Sequence, residues 1–168
     1  VTRSKAVATS ALREAADRDL FINEIKKATG IQIEVISGLE EGRLIFSAVE
    51  NSLNIREQTS LLIDIGGGSV ELTVADHGRP IAVQTFKLGT VRLLQLLEER
   101  GLKEKHLRSL INELAEPARV FIKNHKKRFE FDYAVGTGGN FECLGKLRVA
   151  LLHKTSIFSV SRAEIEQI

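Results

Sequence analysis

Methionine and tryptophan are missing from this 168-residue sequence altogether; tyrosine and cysteine occur once each and proline twice. A single cysteine, Cys143, excludes an internal disulfide framework and suits a reducing cytoplasm. No histidine lies close to it in sequence, so Cys143 reads as a buried structural residue and not as a catalytic thiol. Long apolar runs are lacking as well. Those present are short and broken by charge, far below the ~20 residues of a membrane span, and the opening VTRSKAVATS holds no signal-peptide apolar core. Nor does charge of one sign dominate: 24 Lys and Arg against 22 Asp and Glu leave no global field for nucleic acid or membrane. An apolar fraction of 43% is enough for a packed core. What these absences leave is a soluble cytoplasmic α/β protein of one domain, or of one domain plus part of another. The chain opens on Val1 and not on Met, as a cleaved product or a piece of a longer chain would.

Lys5–Thr9 reads as a short strand, followed by a helix from about Ser10 to Gly30 with Leu20, Phe21, Ile25 and Ala28 near a 3.6-residue period. The β-branched alternation of Ile31–Ile36 predicts a strand, and Ser37-Gly38 turns the chain into a helix over 40–51. Three strands come next, Ser60–Ile65, Glu71–Ala75 and Ile81–Lys87, joined by the short turns GGGS and DHGRP in the order of an antiparallel meander. A helix over 91–100 and another over 103–124 follow, the second interrupted near Pro117. Phe131–Val135 is a further strand that runs straight into GTGGN, residues 136–140. A helix to Leu152, a strand-like SIFSV and a helix start at Ser161 complete the pattern.

The stretch LLIDIGGGSVEL carries the first chemical signal. Glycines 66–68 between two apolar strands permit positive φ and close approach of a ligand to the backbone. Successive amides there can converge into an anion-binding nest, with the Ser69 hydroxyl as a further donor. An ordinary glycine-rich β-turn would look the same. Asp64 and Glu71 add to the signal, because a turn brings both carboxylates to one end of the sheet. Two carboxylates beside a phosphate repel it unless a cation mediates, and Mg²⁺ favours one or two carboxylates plus phosphate oxygens and water. The second glycine turn, GTGGN after an apolar strand, offers amides at a helix N-terminus. Neither turn is a Walker loop and neither is a GxGxxG dinucleotide fingerprint.

Taken in order, VATSALREA, SGLEEGRLIF, DIGGGSVEL, LGTVRL and GTGGN resemble the exopolyphosphatase/guanosine pentaphosphate phosphohydrolase (Ppx/GppA) family, within the actin-like, sugar-kinase and heat-shock ATPase superfamily. The resemblance implies a ribonuclease H-like, actin-like ATPase fold: a mixed sheet with a β-meander followed by α-β-α. Residues 1–44 would be the back part of lobe I and 45–168 most of lobe II. It implies Glu41 as the general base for the attacking water, and Asp64 and Glu71 as the acidic pair near Mg²⁺. Gly66, Gly67, Gly68 and Ser69 would form the second phosphate loop, and Arg13 would reach the polyphosphate. Gly136, Thr137, Gly138, Gly139 and Asn140 would form the loop that lies near base and ribose in nucleotide-binding relatives. The implied substrates are inorganic polyphosphate or guanosine pentaphosphate, and the implied assembly of the intact protein is a homodimer.

The family's first phosphate loop, Asp-x-Gly-Ser-Asn, has no counterpart before ATSALR, and the family continues past Ile168. The expectation is therefore a fragment with low or no activity in isolation. Two alternatives stand beside the hydrolase. One is a kinase or ATPase of the same superfamily, against which SGLEEGRL counts; the other is a non-catalytic module that binds polyphosphate or a guanosine alarmone. The basic run Lys123, Lys126, Lys127 and Arg128 reads as a solvated helix end, or as a track for a long polyanion. From position alone, Glu41 would be a first-turn glutamate stabilised by the helix macrodipole; the resemblance is what makes it a base.

Overall fold

The computed structural model describes residues 4–168, so the first three residues of the opening segment lie outside the described residues. A two-stranded parallel sheet pairs β1 (Ala6–Ala8) with β2 (Ile33–Val35). A four-stranded mixed sheet follows, built from β3 (Thr59–Ile65), β4 (Val70–Asp76), β5 (Arg79–Phe86) and β6 (Tyr133–Thr137) in the order β5-β4-β3-β6. The meander is antiparallel as its sequence predicts, and β6 returns parallel to β3 after a helical crossover.

Alternation along β3 and β4 sends two sets of side chains to opposite faces. On one face Leu61, Val70, Leu72, Val74 and Phe86 meet Ala118 and Phe121 of α6 (Glu116–Lys126), with Phe86 and Phe121 edge-on at 5.9 Å. On the other face Leu62 and Ala75 meet Phe46 and Val49 of α3 (Gly38–Ser52). That second face also carries an unusual polar row. In register across the strands lie Thr85, Glu71, Asp64 and Thr137.

Helix α3 sits close over this row because two glycines four residues apart face the sheet. A β-carbon on Gly38 would collide with the Thr85 side chain, and one on Gly42 would stand 2.5 Å from a Val83 methyl. Glu41, beside Gly42, is thereby brought down to the polar row. Ser37 caps the helix by accepting from the Glu40 amide at 3.2 Å.

Elsewhere the structure departs from the sequence expectation in five places. The helix expected over 10–30 is two, α1 (Ser10–Glu14) and α2 (Arg18–Thr29), because the chain turns extended at Ala15. α2 buries no residue, so its apolar period did not report a core face. Beyond α4 (Thr90–Glu99), the segment 103–124 divides into a 3₁₀ turn (Glu104–His106), α5 (Leu107–Leu114) and α6; the break falls at Ala115. Pro117 sits in the first turn of α6, where its missing N–H costs nothing. The last strand starts and ends two residues later than expected, so Gly136 and Thr137 belong to β6 and not to the loop. SIFSV pairs with no strand: it crosses α7 (Gly139–Leu152) as irregular chain before α8 (Arg162–Ile165), with Ile157 packed where a side chain on Gly145 would go. Cys143 is exposed on α7 and not buried, since α7 turns Gly145 inward and leaves position 143 outside. Among the described residues no helix is long and apolar enough to cross a membrane.

Gly42→Ala should destabilise the fold by about 1–2 kcal/mol, overpacking against Val83 outweighing the helix-propensity gain of about 1 kcal/mol. Urea unfolding checks this, and a more stable Gly42→Ala would mean that α3 does not approach the sheet so closely.

Candidate active site

The glycine loop is held by its carbonyls. The Gly66 carbonyl accepts from the Thr90 amide at 3.2 Å, and the Gly67 carbonyl accepts from the Val91 and Arg92 amides at 2.9 and 3.1 Å. The first turn of α4 thus spends its orphan donors on the loop instead of on a ligand. Among the described residues all peptide bonds are trans, so each carbonyl and the following N–H point to opposite sides. The amides of Gly67 and Gly68 therefore face away from α4. Among the described residues, the amides of Gly67, Gly68 and Ser69 donate to no protein acceptor, whereas Gly66 N–H is bound to Ser69 O at 3.0 Å. These three successive amides are free donors, the set an anion-binding nest would use.

None of the three glycines has positive φ, contrary to what a tight turn led us to expect. Space, instead, constrains Gly67 and Gly68. A β-carbon on Gly68 would overlap the Ser10 hydroxyl of α1, one on Gly67 would press on Val91 at 3.1 Å, and one on Gly89 would strike the Gly67 carbonyl.

Arg13 and Glu41 meet across the two small segments that flank the loop. Arg13 Nη1 donates to the Ile36 carbonyl at 2.8 Å and to Glu41 Oε2 at 3.2 Å, and both side chains are largely buried. The sheet brings Glu71 and Asp64 together as register partners. Asp64 accepts a hydrogen bond from the Thr137 hydroxyl. Gly138 turns at φ +88° beside Asp64 and the Ile65 carbonyl, the one glycine here whose backbone demands a missing side chain. Asn140 Nδ2 donates to the Ile65 carbonyl at 2.8 Å, closing α7 against the end of β3. Beyond Thr137 an apolar groove of about 810 Å³ opens between α3, β6 and α7, lined by Ile45, Val49, Val135 and Phe141.

Glu71 is 2% exposed, and neither of its carboxylate oxygens makes a well-formed hydrogen bond, although the Ser69 hydroxyl lies near enough to ease its charge. Burial pushes its carboxyl up to about 7, with the charges of Glu41 and Asp64 adding to the rise and Ser69 and Arg13 partly offsetting it. A buried, unpartnered acid among acids calls for a cation.

The structure thus joins Arg13, Glu41, Asp64, Glu71, the 66–69 loop, Thr137 and Gly138 at one end of the sheet. It does not join the basic run. Lys123 and Lys126 ride on α6, which covers the opposite face, and Arg128 lies in the turn beyond. Three neighbours escaped the sequence reading. Ser10 packs on Gly68, Thr85 extends the polar row, and Arg92 grips the loop. Arg92 stands inside LGTVRL, three residues after the glycine that opens α4, and that placement was its only signal.

A mixed sheet with these two glycine turns defines the actin-like ATPase fold. A sequence profile of the Ppx/GppA phosphatase family matches residues 1–168, and the chain belongs to that family. An exopolyphosphatase from Cytophaga hutchinsonii ATCC 33406 superposes at TM-score 0.76 and 26% identity, covering 92% of this chain and 50% of that one. The Ppx-GppA enzyme of Aquifex aeolicus gives 0.64 and 28%, over 92% and 50%. A PilM–PilN type IV pilus biogenesis complex, at 0.52 and 16%, shares the fold alone, over 83% and 46%. The chain spans about half the length of the two phosphatase structures it matches.

The raised Glu71 value has a testable consequence for stability. The native state keeps a proton that the unfolded chain, with its ordinary value near 4.5, has already released. Stability from this group is therefore fully present below about pH 4.5 and is lost as pH rises to about 7. Relative to Glu71→Gln, the unsubstituted protein should lose about 3 kcal/mol over that window. Urea midpoints at pH 5, 6 and 7 would decide it; parallel curves for the two proteins would mean that Glu71 titrates normally.

Proposed function

We propose that this chain carries the phosphate-cleaving end of a hydrolase acting on the terminal phosphoanhydride of inorganic polyphosphate. The observation that supports it most is a run of three free amides at the same end of the sheet as two carboxylates, an arginine and a further glutamate. Phosphoryl transfer asks for positioning and charge stabilisation more than for covalent chemistry. The amides of Gly67, Gly68 and Ser69 would hold the oxygens of the terminal phosphate. Arg13, with Glu41 as its present partner, would exchange part of that ion pair for a phosphate oxygen. That exchange leaves Glu41 free to take the proton of the attacking water. As the water oxygen bonds to phosphorus, the bridging P–O bond breaks and the shortened chain departs with the electron pair.

Mg²⁺ fits the donor set. Asp64 and the orphaned Glu71 carboxylate supply two hard oxygen ligands, and the substrate would supply the rest. Among the described residues no group of three or more His, Cys, Asp or Glu stands ready to cage a metal alone, which suits an ion that arrives with phosphate. Bound there, it would neutralise charge on the phosphoryl oxygens. Guanosine pentaphosphate belongs in the same proposal as a second substrate, on the strength of the apolar groove beside Thr137, which has room for a nucleoside.

Phosphate release from both compounds with Mg²⁺, compared with Glu41→Gln in the full chain, tests the reading. Loss of release by about 10²–10⁴-fold in Glu41→Gln, with polyphosphate still bound, is expected. Undiminished release would remove Glu41 as the base, and binding without release by either protein would favour a non-catalytic module.

A further inference from the structure

We propose that Arg92 is a positioning residue for the phosphate loop, aiming the Ser69 amide by holding the Gly68 carbonyl and tying that loop to the segment that carries Arg13. The inference rests on the reading of residues 66–69 as a phosphate cradle. Its geometry does not.

Arg92 Nε donates to the Gly68 carbonyl at 2.7 Å, and Nη2 donates to Glu14 Oε1 at 2.8 Å. Glu14 is the residue after Arg13 and closes the same short helix, α1. One guanidinium therefore bridges the loop to the helix of the phosphate-reaching arginine, through two bonds from a rigid planar fork. The side chain is 23% exposed, so these bonds are only partly open to water. Its backbone N–H also holds the Gly67 carbonyl.

The consequence for the loop follows from peptide planarity. Thr90 and Val91 orient the Gly66 and Gly67 carbonyls from the backbone of α4, and with them the amides of Gly67 and Gly68. Among the described residues no backbone donor reaches the Gly68 carbonyl, which is held by the Arg92 side chain. The Ser69 amide, in that same peptide unit, owes its direction to Arg92. The third donor of the nest therefore depends on a side chain, whereas the other two depend on main chain. A second contact supports the coupling: Ser10 opens α1, is 6% exposed, and its hydroxyl would overlap any side chain on Gly68. Lys87 also reaches Glu14, at 3.6 Å, and could replace half of the bridge without touching the loop. Two of the five guanidinium N–H donors are engaged, Nε on Gly68 and Nη2 on Glu14, and it is the Nε bond through which Arg92 acts on the loop.

The test uses Arg92→Lys and Glu14→Gln in the full chain, with inorganic tripolyphosphate and Mg²⁺ as the probe. Affinity is read by calorimetry, folding by the melting temperature, and the loop by the amide ¹⁵N–¹H resonance of Ser69 in the free protein. Lysine keeps the charge but cannot reproduce the fork. Arg92→Lys should melt like the parent, shift the Ser69 amide more than that of Gly67, and bind tripolyphosphate at least about tenfold more weakly. Glu14→Gln leaves the Gly68 bond in place and should weaken binding by no more than about threefold. Equal affinity with an unmoved Ser69 amide would overturn the proposal. So would weaker binding with an unmoved Ser69 amide, which would make Arg92 a direct charge contact. Should the parent take up no tripolyphosphate at all, the cradle reading itself falls and the proposal falls with it.

Discussion

A β-carbon added at Gly38, Gly42, Gly68 or Gly89 would overlap atoms already in place, and the charged groups of the candidate site depend on those four contacts. Backbone packs there on backbone at Gly89, on a short hydroxyl side chain at Gly38 and Gly68, and on a valine methyl at Gly42. At Gly38 and Gly42 this lets α3 descend onto β4 and β5, which sets Glu41 against Arg13 and within electrostatic reach of Glu71. At Gly68 and Gly89 it lets α1 and α4 close on the loop from two sides. Packing density leaves little slack for such contacts to adjust. A side chain at any of these points would move a carboxylate or an amide before it changed the fold.

The electrostatic design carries a cost at rest. Glu71 is buried without a well-formed hydrogen bond, and its neighbours Glu41 and Asp64 bear the same sign. An apolar residue at that position would be easier to bury. Local conflicts of this kind are characteristic of functional sites, where stability is given up to hold charge in readiness. The neighbouring groups are better satisfied: Arg13 has a carbonyl and a carboxylate, and Asp64 has the Thr137 hydroxyl. The unsatisfied carboxylate is therefore Glu71, and beside the loop the buried Ser10 hydroxyl is unpaired as well. Cation and phosphate would complete that arrangement together.

The α4 N-terminus has a less familiar role. A helix N-terminus is a ready anion site, yet here its amides hold the Gly66 and Gly67 carbonyls, and the positive end of the helix orients another set of donors. The anion would bind to the loop, one layer removed from the helix.

Much of this was legible in the sequence, where the signal is local and dense. The apolar runs around GGGS define the antiparallel meander because alternation and turn residues act over a few positions. The motif resemblance pointed to the Ppx/GppA family, to which the chain belongs, and it singled out Arg13, Glu41, Asp64 and Glu71, which the fold brings to one end of the sheet. The helix over 10–30 and the strand at SIFSV were misread because their apolar spacing is real but reports no core. Position 143 was misjudged because cysteine burial depends on which way a helix is turned, and that is decided by Gly145 against Ile157. By itself, then, the sequence determined the strand order of the meander and the chemistry available at its tip. Only the tertiary structure decided that Glu71 is buried without a well-formed hydrogen bond, that Gly67 and Gly68 serve space and not φ, and that Arg92 and Glu14, 78 residues apart, share a bond. Those facts arise from contacts between distant segments, and a local pattern of residues does not encode which segments will touch.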